Sequence, residues 1–153
     1  MPDLSETAPD FTLPRDGGDE ITLSALRPGA VVLFFYPRDD TSGCTKEAIA
    51  FTGLQDDFEA AGVTILGISK DSIAKHDKFR DKHDLGVALL SDEDSDVCER
   101  YGVWKEKSMY GKKFMGIERS TFLIDGNGKI ARIWPKVKVP GHAEEVLEAA
   151  KAL

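Results

Sequence analysis

Cys44 stands in YPRDDTSGCTKEAIAF, residues 36–51, directly after Gly43, three residues after Thr41 and behind Pro37. The continuous apolar run AVVLFFY (30–36) leads into Pro37, and Ala48, Phe51, Leu54 and Phe58 follow at helical spacing. The cysteine therefore falls in the first turn of a helix entered from a buried strand. Unpaired backbone N–H groups and the positive end of the helix dipole favour an anion there, so the position suits a thiolate, the nucleophilic form of cysteine. The competing reading is a buried cysteine acting as a small hydrophobe. Thr41 either caps the helix or accepts a hydrogen bond from something bound beside the sulfur, and Pro37 either screens the sulfur from water or merely ends the strand.

The chain of 153 residues has the size of one domain, with 41% hydrophobic and 31% charged residues, so the whole of 1–153 is expected to fold around a single core. A net charge of -7 repels a phosphate backbone, which argues against nucleic acid as a partner. The start, MPDLSETAPDFTLP, lacks the basic and apolar regions of a secretory signal, and no apolar run approaches the ~18 residues of a membrane helix. A cytoplasmic location without membrane contact is the expectation. The two cysteines, Cys44 and Cys98, are then reduced at rest, and a structural disulfide is not expected.

The elements that must position Cys44 can be read in outline. Residues 10–23 form an N-terminal β-hairpin around Gly17-Gly18, and 30–36 form a buried strand. One helix extends from Cys44 to about Gly62, followed by a strand at 63–69, a helix at 72–83 and a short strand at 87–90. SDEDSDVCERYG (91–102) suits a short helix closed by Gly102, with Val97, Cys98 and Tyr101 inward. STFLI and KIARIW around Asp125-Gly126-Asn127-Gly128 make an antiparallel hairpin, and a last helix over 142–152 turns Val146, Leu147, Ala150 and Leu153 inward. Residues 104–118, the least regular segment, read as a surface loop whose Lys105, Lys107, Lys112 and Lys113 are solvated or meet an acidic partner. The sum is an α/β fold, a mixed β-sheet flanked by helices.

Pro37, Thr41 and Cys44 spell PxxxTxxC, and here the sequence resembles the peroxiredoxins, most closely the Q-type or bacterioferritin comigratory subgroup. The N-terminal PDF, SDEDSDVCERYGVW and GIERSTFLID extend the likeness over essentially the whole chain. The resemblance implies a thioredoxin-like fold and a thiol-dependent peroxidase that reduces hydrogen peroxide and organic hydroperoxides, with no metal or organic cofactor. It makes Cys44 the peroxidatic cysteine, oxidised to a sulfenic acid. Thr41, Arg119 of GIERST, and the backbone N–H groups of Gly43 and Cys44 would hold the peroxide, with Pro37 as shield. Without the resemblance, Arg119 reads as an exposed strand-edge residue. Glu47, one turn after Cys44, either orients Arg119 or is solvated.

The second thiol of two-cysteine members is missing from both expected places, which are Ile49 and Arg80 here. Cys98 is read as core packing, so the expectation is a one-cysteine cycle in which thioredoxin, glutaredoxin or glutathione reduces Cys44, in a monomer. The alternative from another class is a thioredoxin-like binding or chaperone module with an incidental cysteine. A disulfide oxidoreductase lacks its CxxC, and a cysteine phosphatase would want an arginine at Ala50. His76 and His83 are assigned to the surface rather than to a zinc site, and Trp104 and Trp134 to the core or its rim.

Overall fold

The computed structural model describes residues 2–153. Its strands are β1 (Thr12–Pro14), β2 (Glu20–Thr22), β3 (Ala30–Phe35), β4 (Val63–Ser69), β5 (Ala88–Ser91), β6 (Trp104–Met109), β7 (Lys112–Ile117), β8 (Ser120–Ile124) and β9 (Ile130–Trp134). Its helices are α1 (Ser42–Gly53), α2 (Gln55–Ala60), α3 (Ile73–His83), α4 (Val97–Arg100) and α5 (His142–Lys151). The central sheet runs β5-β4-β3-β8-β9; β3, β4 and β5 are parallel, while β8 and β9 are antiparallel to their neighbours. The mixed sheet, its flanking helices and the β1–β2 hairpin agree with the expected thioredoxin-like architecture.

Because side chains alternate across a strand, β3 feeds two separate cores, one on each face of the sheet, where a single core was expected. Val31, Leu33 and Phe35 pack with Phe11, Tyr101 and Phe122, while Val32, Phe34 and Tyr36 pack with Cys44, Phe51, Phe58 and Phe79. Helices α1, α2, α3 and α5 contribute to the second core, and α4 with the N-terminal segment to the first. Cys44 and Cys98 thus lie on opposite faces of the sheet, each buried.

Several expectations need correction. The helix after Cys44 is broken at Leu54, whose φ of -106° leaves the helical range, so α1 and α2 are separate. Residues 104–118 are no loop but the β6–β7 hairpin, turning at Tyr110-Gly111, both at positive φ. Both faces of this ribbon are largely wet, so its sequence lacks the alternation that betrays a half-buried strand, and Tyr-Gly is not the usual turn signal. Leu153 lies beyond the end of α5 and is 55% exposed, while Val146, Leu147 and Ala150 are buried as expected.

The N-terminal hairpin is fastened to the free edge of the sheet at Asp16. Its amide donates to the carbonyl of Leu89 at 2.9 Å, its carboxylate accepts the Leu89 amide at 2.9 Å, and Arg80 of α3 donates to the same carboxylate. The edge strand β5 thereby finds partners for its backbone. Asp16→Ala leaves a buried amide and the Arg80 guanidinium without their acceptor, and should lower unfolding free energy by about 2–3 kcal/mol in urea titration.

Candidate active site

Strand β3 ends at Phe35, and residues 36–41 turn the chain back so that α1 starts at Ser42. Thr45 makes the first bond of the helix, to the carbonyl of Thr41 at 2.8 Å. The amides of Ser42, Gly43 and Cys44 lie in the opening turn, where a helix offers no acceptor of its own. Cys44 is 1% exposed. Thr41 occupies the N-cap position without capping; its hydroxyl donates to the carbonyl of Arg38 at 3.0 Å, so the capping reading does not hold.

Arg119 comes from the link between β7 and β8, far away in sequence. One guanidinium nitrogen, Nη2, donates to Cys44 Sγ at 3.2 Å, and Nη1 donates to Glu47 Oε1 at 2.7 Å. Glu47, one turn below Cys44, is buried and orients the guanidinium, so the solvated alternative is excluded. A Cβ on Gly43 would stand 3.0 Å from Arg119 Nη2. A side chain at 43 would press on the guanidinium and shift it by a few tenths of an ångström from its place against the sulfur.

Burial pushes the Glu47 carboxyl up to about 7 although Arg119 pulls the other way, and its second oxygen has no hydrogen-bond partner among the described residues. Burial lowers the Arg119 pKa, but Glu47 and Cys44 outweigh it, so the net shift is upward.

The chain matches the AhpC/TSA family over residues 4–133. It belongs to that family. A putative peroxiredoxin Bcp of Coxiella burnetii is 52% identical, the match covering 95% of this chain and 96% of that one. Peroxiredoxin Bcp of Bacillus subtilis is 44% identical, over 97% and 95%. Among solved structures, the bacterioferritin comigratory protein of Xanthomonas campestris superposes with TM-score 0.90 at 45% identity, covering 98% of this chain and 96% of that one. A cysteine-to-serine mutant of Xylella fastidiosa PrxQ gives 0.93 at 42%, with the same coverage. The chain is a peroxiredoxin of the Bcp or Q type, a thiol-dependent peroxidase.

In this peroxiredoxin a cleft of 760 Å³ opens on Pro37 and Thr41, walled by Trp104, Met109, Phe114 and Met115 of the hairpin. Lys107 lines it too; burial and Arg119 lower its pKa against the opposing pull of Cys44 and Glu118. Lys105 pairs with Glu118 at 2.9 Å and Lys113 with Glu106 at 3.7 Å. The lysines are therefore spread over a ribbon rather than a loop, and Lys105, Lys112 and Lys113 are solvated as one of the two expectations had it. Trp104 is half-buried, with Lys70 5.0 Å from its ring centre, and Trp134 is half-buried beneath Arg132.

Cys98 packs at the start of α4 as expected; burial and the neighbouring Asp92 push its thiol up, away from the reactive form. Ile49 is 47% exposed, and Arg80 is committed to Asp16. The surface reading of His76 is wrong: it is fully buried, its Nδ1 2.6 Å from Asp39 and its Nε2 2.9 Å from the carbonyl of Leu90. His83 is half-buried and meets Asp40 at 2.9 Å. The sequence reading also missed His142, buried beside Phe51 and 2.8 Å from the Thr121 hydroxyl.

The raised Glu47 pKa gives stability a definite pH dependence. The folded state binds this proton more tightly than the unfolded chain, so the gain is complete below the ordinary value of 4.5 and is lost as pH rises through about 7. Urea midpoints compared with Glu47→Gln should show the parent losing on the order of 2–3 kcal/mol more than the variant between about pH 5 and about pH 8.

Proposed function

We propose that Cys44 is the residue that hydroperoxide oxidises, in a one-cysteine cycle closed by an external thiol. The observation that carries this reading is the 3.2 Å hydrogen bond from Arg119 to Cys44 Sγ, made in the opening turn of α1. A fixed cation and the amides of the opening turn lie where negative charge passes from sulfur to peroxide oxygen, and they favour that charge during reaction.

The thiolate attacks the terminal peroxide oxygen, an S–O bond forms, and the O–O bond breaks. The sulfur is oxidised to sulfenic acid, and the departing oxygen is reduced to water or alcohol, taking a proton. The amides of Gly43 and Cys44, the Thr41 hydroxyl and Arg119 hold the two oxygens in line, and Pro37 covers the turn. The apolar wall of Met109, Phe114, Met115 and Trp104 gives room for the organic part of a larger hydroperoxide. This fits the description of the Xanthomonas campestris relative as active in alkyl peroxide reduction.

Neither α1 nor α3 carries a second cysteine, and the sheet stands between Cys44 and Cys98. Reduction of the sulfenic acid then falls to thioredoxin, glutaredoxin or glutathione. The remaining details are a monomer working in the cytoplasm, with 1–153 as one peroxiredoxin domain and no metal or organic cofactor required. No helix among the described residues is long and apolar enough to cross a membrane.

Peroxide consumption with each thiol donor tests the reading. Cys44→Ser should abolish turnover, and Arg119→Ala should lower kcat/KM about 10²- to 10³-fold. A Cys44→Ser protein that still turns over would make Cys44 incidental and overturn the reading. Mass spectrometry after stoichiometric peroxide should show sulfenic or sulfinic acid on Cys44; a quantitative intramolecular Cys44–Cys98 bridge would overturn the one-cysteine cycle.

A further inference from the structure

A buried polar chain lies behind the turn that carries Pro37 and Thr41, outside the Cys44–Arg119–Glu47 cluster. The Tyr36 hydroxyl donates to Asp39 Oδ1 at 2.6 Å, and His76 Nδ1 lies 2.6 Å from Asp39 Oδ2. His76 Nε2 is 2.9 Å from the Leu90 carbonyl, which can only accept, so that nitrogen carries a proton. The second proton is held between Nδ1 and the carboxylate. The Asp39 amide donates to Asp71 at 2.8 Å, and Asp71 in turn accepts from Ser69 at 2.7 Å. Both carboxylate oxygens and the amide of Asp39 are thereby fixed, midway between Pro37 and Thr41.

Such a chain is expensive to bury, and an apolar cluster would fill the space at least as well. What it supplies is orientation. Thr41 is oriented through the Arg38 carbonyl, hence through the turn backbone, and that backbone is held at Asp39. A misplacement of about 1 Å in a reacting group can cost about 10²-fold in rate. We propose that His76 is a positioning residue of the peroxidase: through Asp39 it sets the 37–41 turn so that Thr41 and the opening amides of α1 face the peroxide at Cys44. The proposal rests on Cys44 being the oxidised thiol.

Two substitutions separate the bonds of His76. Asparagine places its amide nitrogen near Nδ1 and restores the bond to Asp39; glutamine reaches the site of Nε2 and restores only the bond to Leu90. The readout is the second-order rate of Cys44 oxidation by hydrogen peroxide in the reduced full-length protein, measured by stopped-flow tryptophan fluorescence beside urea unfolding. His76→Gln should slow oxidation about 10- to 100-fold, and His76→Asn should stay within about threefold of the parent although both are less stable. Unchanged rates in His76→Gln, or equal slowing in both variants, would overturn the proposal. Should the histidine variants fail to fold, Tyr36→Phe removes a single hydroxyl from the same carboxylate and should slow oxidation about 3- to 10-fold; no slowing overturns the proposal. A peroxidase-active Cys44→Ser removes the reading of Cys44 and this proposal together, whereas an inactive Cys44→Ser beside an unaffected His76→Gln removes this proposal alone.

Discussion

One guanidinium divides its two outer nitrogens between the Cys44 sulfur and the Glu47 carboxyl, and the site is built around that division. A single positive charge in a poorly solvated pocket can balance one anion well and two badly. Burial raises the Glu47 carboxyl to about 7 against the pull of Arg119, so near neutral pH the carboxyl holds its proton part of the time and competes less for the cation. The other local features serve the same contact: Gly43 withholds a Cβ that would crowd Nη2, and α1 begins where its free amides face the same region.

The sheet keeps the protein's two thiols in different chemical worlds. Because β3 alternates, the same six-residue strand supplies a wall to the core around Cys44 and another to the core around Cys98. Cys98 lies among Tyr101, Phe35 and Phe122, its amide donates to Asp92 at 2.8 Å, and the nearby carboxylate discourages ionisation. The motif residues and the partition together give one thiol a cation and the other an acid.

Much of this was legible in the sequence where a local pattern has one cheap solution. The apolar run of β3, the Asp-Gly-Asn-Gly turn between β8 and β9 and the spacing of Ala48 and Phe51 each specify an element on their own terms. The β6–β7 hairpin escaped because it buries little and so carries no periodic signal. His76 escaped for the opposite reason: histidine is buried only when its partners are in place, and those partners, Asp39 and the Leu90 carbonyl, come from a distant turn and an edge strand. The Arg119–Cys44 contact is equally non-local; residue spacing alone left Arg119 as an exposed strand-edge residue, and only the family resemblance pointed to its place.

Helix α3 shows how a change of one residue type alters what an element does. At Arg80, where some relatives carry a second thiol by resemblance, the chain has a cation tied to the buried Asp16, while Lys82 and His83 reach across to Asp40 and His76 to Asp39. The helix is thus fastened on one side to the N-terminal hairpin and on the other to the turn before Cys44. Displacing it would strip the carboxylates of Asp16 and Asp39 of their α3 partners at once, and a carboxylate left buried without its partner is among the most costly defects a fold can carry. A second thiol on α3 would have to reach the sulfur by movement of this helix or of α1; with arginine in its place, rigidity carries no such conflict, and the helix can act as the frame against which the turn is held.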